Sequence, residues 1–110
     1  MNYQHQSLAA GRWKQMPLIE QMSNIGSEVD RALHWRAKNN PAFCQKAVER
    51  ALELLDLSLD STSEFPRLRE LARTREALVD YFFGSNQYQS NENLWHKYFL
   101  HFTTALRKNY

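Results

Sequence analysis

The sequence contains little glycine, proline or cysteine, and these shortages exclude several classes of protein. Its 110 residues include three glycines, three prolines and one cysteine. So few glycines and prolines argue against a low-complexity or disordered chain. A single cysteine, Cys44, excludes a disulfide framework within one chain. We therefore expect one folded domain in a reducing compartment, and we assign it to the cytoplasm.

Long apolar runs are also missing. No stretch approaches the roughly 20 apolar residues of a transmembrane helix, and residues 1–17 lack the continuous apolar segment of a signal peptide. The net charge is only +2, from fourteen basic and twelve acidic side chains. Charge alone therefore does not predict a nucleic-acid-binding protein, and we expect no membrane association.

The sequence does contain four long segments with helical periodicity. The first three begin near Pro17, Pro41 and Pro66, and proline suits the first turn of a helix. Gly84 is expected to end the third helix as its C-cap. Ser90 or Asn91 is expected to cap the fourth.

These segments predict an all-α fold, an up-down-up-down antiparallel four-helix bundle over residues 17–110. Residues 1–16 are predicted to be an arm that is either flexible or docked by Trp13. The core-facing residues predicted for the last two helices are Leu68, Leu71, Ala72, Leu78, Val79, Phe82, Leu94, Trp95, Tyr98, Phe102, Ala105 and Leu106.

One arginine interrupts an apolar helix face. Within LRELARTREALVDYFFG, residues 68–84, Arg75 lies near the centre of the apolar arc. A buried guanidinium without a partner is too costly to persist. In an antiparallel arrangement Glu28 is the acidic residue at matching height that can turn inward. We therefore predict that Arg75 is mostly buried and contacts Glu28, with Tyr98 or His101 close by.

The predicted cluster of Glu28, Arg75, Tyr98 and His101 has two interpretations. It is either an ion pair that fixes the register of the helices or a polar pocket that binds an anion or a partner group. Gly26, one turn away on the core face, would let another helix or a ligand approach closely.

The second helix carries a line of acidic residues, Glu49, Glu53, Asp56 and Asp60, spaced by four, three and four positions. Di-metal bundles use carboxylates at such spacing, but theirs point into the core and are accompanied by a Glu-x-x-His motif. Here the line faces away from the core. It predicts a solvated face, with a surface for a basic partner as the alternative. We predict no metal and no cofactor.

Aromatic residues outside the core faces are candidates for association. Trp35 projects away from the core beside Arg31, where it is either covered by the N-terminal arm or used in an interface. Tyr88 and Tyr110, the latter next to Arg107, interleave aromatic and basic residues in a short cluster of the kind that binds single-stranded nucleic acid.

Residues 17–108, as a compact helical domain with arginine and histidine near helix midpoints, resemble the HEPN-type small helical proteins. That superfamily includes partners of minimal nucleotidyltransferases and RNA-cleaving toxins. Its ribonuclease members carry an arginine, four to six residues and then a histidine. Here Arg31 and His34 are separated by only two residues, so this motif is missing. The stretches SNIGSEVDRALHW and ERALELLDLSLD also look like parts of prokaryotic helical proteins.

Two functions follow as expectations. The first is a non-enzymatic interaction module that self-associates or docks on a larger partner, such as a nucleotidyltransferase or another nucleic-acid enzyme; Trp35 and the acidic face motivate it. The alternative is an RNA-binding or RNA-cleaving HEPN-like protein that uses His34 or His101 with Arg31 or Arg75. No nucleophile motif or phosphate-binding loop is found, so no catalytic residue is assigned.

Overall fold

The structure, a computed structural model, describes residues 11–108. These residues form five helices and no strand, which confirms the all-α prediction. None of the five is both long and apolar enough to cross a membrane. The helices are α1 (Trp13–Gln15), α2 (Leu18–Ala37), α3 (Pro41–Ser61), α4 (Phe65–Phe83) and α5 (Glu92–Lys108).

The junction between α2 and α3 is built from two asparagines and a proline. Asn39 has a φ of 57°, a left-handed conformation that asparagine tolerates better than most residues. Its N–H donates to the Arg36 carbonyl, and the Asn40 N–H donates to the Trp35 carbonyl, which closes α2 as a Schellman motif. The Asn40 side chain then accepts a hydrogen bond from the Phe43 N–H at 3.1 Å, and Pro41 opens α3.

The longer connection between α4 and α5 is organised by Asp80. Its two carboxylate oxygens accept hydrogen bonds from the backbone N–H groups of Gln87 and Tyr88 at 2.9 and 3.0 Å. Its carbonyl accepts a bond from Gly84, the predicted C-cap. Asn91 caps α5 by accepting a hydrogen bond from the Leu94 N–H at 2.9 Å. The predicted caps at this junction are therefore confirmed.

Helix α2 is the centre of the packing. It lies against α3 and α5, whereas α4 packs mainly on α3 and α1 also rests on α3. The apolar face of α2, which includes Ile25 and Val29, is fully buried, and Leu55 and Leu78 join it from α3 and α4. The main core cluster is therefore built around α2, and a smaller second cluster of Ala32, Ala47 and Val48 lies between α2 and α3.

Helix α5 approaches α2 at Gly26. A Cβ atom at Gly26 would lie only 2.8 Å from Cβ of Phe99, so only glycine allows this separation. Phe99 is 3% exposed although it was not predicted to face the core. Leu94 was predicted to face inward but is 51% exposed. On α4, Ala72 was also predicted to face inward and is exposed. The core face of α5 is rotated toward α2 because Phe99 seats against Gly26.

A buried polar network attaches the N-terminal segment to the domain. The Trp13 indole N–H donates to Oγ of Ser58 at 3.0 Å, and the Ser58 hydroxyl donates to Oε1 of Gln21 at 2.7 Å. The Gln21 amide donates to the Trp13 and Met16 carbonyls. Trp13 is 1% exposed, so this part of the predicted arm is docked by Trp13. Residues 1–10 lie outside the described part of the chain.

The close approach at Gly26 yields a first prediction. Gly26→Ala places a methyl group against the base of the Phe99 side chain, so α5 must shift. We expect a loss of about 1–3 kcal/mol in the free energy of unfolding, despite the helix preference of alanine. Urea unfolding measures it. Gly11→Ala is the matched control, since no heavy atom lies within 4 Å of its added carbon. Equal stability of the parent and Gly26→Ala would contradict the prediction.

The network around Ser58 yields a second. Ser58→Ala removes the hydroxyl that satisfies both the Trp13 N–H and the Gln21 amide oxygen in the core. Leaving buried polar groups unpaired costs about 1–3 kcal/mol, and we expect that loss in urea unfolding. Ser27→Ala is the control, because Ser27 is exposed and its hydroxyl donates to the Ser23 carbonyl of the same helix. A Ser58→Ala protein as stable as the Ser27→Ala protein would show that the network is dispensable.

Candidate functional site

The seam between α4 and α5 is open and forms a cleft with a volume of about 670 Å³. The two helices are consecutive in the chain, yet α4 packs mainly on α3 and α5 packs on α2. We call this space the α4–α5 cleft. It is bounded by Phe65, Arg69, Glu70, Arg73, Thr74 and Ala77 of α4, and by Leu94, Trp95 and Tyr98 of α5.

The cleft exposes large apolar side chains. Phe65, at the start of α4, is 71% exposed and Leu94, on the first turn of α5, is 51% exposed. Trp95, 6% exposed, lies deeper and belongs to the core cluster. Large side chains left in water beside a concave apolar surface are typical of a binding site.

Tyr98 gives the cleft a fixed polar group. Its hydroxyl donates to Oε2 of Glu70 at 2.9 Å and lies 3.0 Å from Oγ1 of Thr74. Burial raises the pKa of the Tyr98 hydroxyl well above its usual value, because the phenolate would lose its hydration. The hydroxyl therefore keeps its proton, donates to Glu70 and accepts from Thr74. This chain of hydrogen bonds links α4 to α5 across the seam.

The arginines of α4 divide into two groups. Arg67 pairs with Glu64 and Arg75 pairs with Asp56. No ion pair to Arg69 or Arg73 is formed within residues 11–108, and both border the cleft. Since these two are four positions apart, they lie on the same side of α4. The cleft thus carries an apolar surface next to two positive charges.

The four residues predicted to form one polar cluster are not brought together. Both oxygens of Glu28 are engaged at the seam of α2 and α3, by Arg31 at 2.6 Å and Arg50 at 3.3 Å. Arg75 lies at the seam of α3 and α4, and Tyr98 lies at that of α4 and α5. His101 is exposed, with its ring edge-on to Phe102.

The predicted contact between Arg75 and Glu28 is therefore replaced by another pair. Nε of Arg75 donates to Oδ1 of Asp56 at 2.7 Å, and the Arg75 side chain is 38% exposed rather than mostly buried. The physical reason is the arrangement of the helices. Helix α4 packs on α3, so an acidic residue of α3 is nearer than one of α2.

The acidic line of α3 is only partly solvated. Glu49 and Asp60 are exposed, as predicted, whereas Glu53 and Asp56 are half-buried. Asp56 is turned toward α4 by its pair with Arg75. The middle of the line thus contacts α4 through Asp56, while its two ends, Glu49 and Asp60, face water.

Trp35 and Arg31, the other predicted interface residues, lie on the outer side of the α2–α3 seam. Trp35 is half-buried, with its ring 4.9 Å from that of Phe43 in an edge-on arrangement. The Arg31 side chain is 60% exposed. The predicted cover of Trp35 by the arm, residues 1–16, involves residues 1–10, which lie outside the described residues, as does Tyr110.

The arginine and histidine residues considered for RNA cleavage are not paired with each other by the structure. Arg31 is bound to Glu28 and Arg75 to Asp56, while His34 contacts Trp35. Within residues 11–108, no group of three or more His, Cys, Asp or Glu side chains is arranged to hold a metal ion.

Comparisons with known proteins find no matching family model, no similar curated protein and no similar solved structure.

Sequence reasoning missed most of the cleft, although part of its signal was visible. Arg69 and Arg73 were not among the predicted site residues, and Phe65 preceded the predicted start of its helix at Pro66. A spacing of four between Phe65, Arg69, Arg73 and Ala77 places them along one side of α4. The spacing does not show that this side of α4 borders a cleft, because the cleft depends on how α4 and α5 are placed relative to each other.

The bridge from Tyr98 to Glu70 and Thr74 yields a third prediction. Tyr98→Phe removes a hydroxyl whose partners include the largely buried Thr74, and we expect it to lower the free energy of unfolding by about 1–2 kcal/mol. Tyr88→Phe makes the same chemical change where the hydroxyl bonds Glu76 in the open, and it should cost less than about 0.5 kcal/mol. Thermal melts compare the two, and equal losses would contradict the bridge.

Proposed function

We propose that this protein is a non-enzymatic interaction module and that the α4–α5 cleft is the surface where it docks on a larger partner protein. The observation that carries the proposal is the exposed apolar surface of the cleft, with Phe65 and Leu94 at its sides and Trp95 at its base. Aromatic side chains and arginine are enriched at protein interfaces and among the residues that contribute most of the binding energy.

The fold supports such a role. We assign helices α2 to α5 to an up-down-up-down antiparallel bundle, because short connections join α2 to α3 and α3 to α4. In such a bundle each helix is expected to pack on both of its neighbours. The pair α4 and α5 does so only in part, and a helix or segment from another protein would complete this side.

The surroundings of the cleft are preorganised for binding. The loop before α5 is held by Asp80, and the Tyr98 hydroxyl ties α5 to Glu70 of α4. A site whose walls are fixed before binding loses less conformational entropy when the partner arrives. The HEPN-type resemblance of the sequence makes a minimal nucleotidyltransferase one candidate for that partner.

Site-specific photo-crosslinking tests the docking surface. A photoreactive phenylalanine analogue replaces Leu94 in the cleft, and in a second protein it replaces Leu100, which is on the same helix and 58% exposed but does not line the cleft. We expect a discrete crosslinked product with another polypeptide from position 94 only, because only that side chain lies in the interface. Products of the same size and yield from both positions, or none from position 94, would contradict the proposal.

Self-association is distinguished by light scattering during size-exclusion chromatography. A crosslinked product of twice the mass of the chain, together with a dimer in solution, would assign the cleft to contacts between copies of this protein. A monomer that crosslinks to a different polypeptide supports docking on a partner.

A further inference from the structure

We propose that the segment which docks in the α4–α5 cleft is an acidic amphipathic helix of the partner protein, with its carboxylates bound by Arg69 and Arg73. This inference rests on the proposed function and specifies the chemistry of the partner. Its basis is the combination of length, apolar surface and unbalanced charge at the cleft.

The length of the cleft fits a short helix. Its side on α4 runs from Phe65 to Ala77, which is about 18 Å at the helical rise of about 1.5 Å per residue. A partner helix of about three to four turns spans that distance. Such a helix presents apolar residues at positions i, i+3, i+4 and i+7, the pattern by which helices bind grooves between other helices.

The backbone of the cleft favours a helix over a strand. Both of its sides are helices whose internal backbone groups are already hydrogen-bonded within α4 and α5, so they offer no sheet edge to which a strand could add. Side chains of a third helix can instead enter the groove between the ridges of α4 and α5. Phe65, Leu94 and Trp95 provide the apolar contacts.

The charges at the cleft select an acidic segment. Arg69 and Arg73 border the cleft and form no ion pair with residues 11–108, whereas Arg67 and Arg75 on the same helix are paired. Glu70 is the acidic residue lining the cleft, and its carboxylate accepts the Tyr98 hydroxyl. An incoming carboxylate can therefore form a two-pronged contact with either guanidinium, the geometry that arginine favours.

A peptide display experiment tests this chemistry. A library of random 14-residue peptides is panned against the immobilised full chain and, in parallel, against the Arg69→Glu/Arg73→Glu protein. We expect peptides enriched on the parent chain to combine an apolar helical face with net negative charge. We expect peptides enriched on the charge-reversed protein to keep the apolar face and to carry basic residues instead.

Affinity measurements with one enriched peptide show how much Arg69 and Arg73 contribute to binding. By fluorescence anisotropy, Arg69→Glu/Arg73→Glu should weaken binding at least tenfold. The control Arg67→Glu/Arg107→Glu changes the net charge equally but alters arginines outside the cleft, and it should weaken binding less than threefold. Circular dichroism verifies that each variant stays helical, which is expected because all four side chains are exposed.

The outcomes separate this inference from the proposed function. If neutral or basic peptides are enriched on the parent chain and Leu94→Glu abolishes their binding, the acidic helix is overturned while docking in the cleft stands. If Leu94→Glu leaves the binding of every enriched peptide unchanged, docking in the cleft is overturned as well. Formation of a dimer that Leu94→Glu disrupts would assign the cleft to a second copy and overturn the inference.

Discussion

The contact between Gly26 and Phe99 is the constraint from which the rest of the arrangement follows. A helix that packs against a glycine can approach more closely than one that packs against a larger residue. Helix α5 is so close that a Cβ atom at Gly26 would lie 2.8 Å from Cβ of Phe99. With Phe99 packed against Gly26, α5 packs mainly on α2. Its neighbouring aromatic residue Trp95 then stacks on Phe99, with ring centroids 6.1 Å apart, and completes the core from that side.

The same seating separates α5 from α4. Helix α4 is held on α3 by the packing of Leu71 and Leu78 and by the ion pair between Arg75 and Asp56. It therefore lies on α3 while α5 lies on α2. The seam that results is bridged by the hydroxyl of Tyr98 and by the rings of Tyr81 and Trp95, whose centroids are 6.3 Å apart. The α4–α5 cleft is thus created by how two helices are held by their other neighbours.

Local features of the sequence predicted the helices and their ends well, because they depend on nearby residues. Asn39 ends α2 through its left-handed backbone, and Asn40 and Asn91 cap α3 and α5 through their side chains. Contacts between side chains of different helices were harder to predict. The hydrophobic period located the core face of α2, but the rotation of α5 depends on a glycine in another helix. Arg75 met Asp56 because α3, rather than α2, is the neighbour of α4, and helical periodicity contains no information about adjacency.

The network at Ser58 also has a consequence for the order in which the protein can acquire its structure during synthesis. Trp13 and Ser58 are 45 positions apart, so a chain made from its N-terminus presents the indole and the Gln21 amide long before their partner hydroxyl exists. Until α3 is complete, the buried site of the Trp13 side chain does not exist. The apolar face of α2 is also still exposed at that stage. Trp13 is therefore made before α3 but reaches its buried position only after α3 has formed.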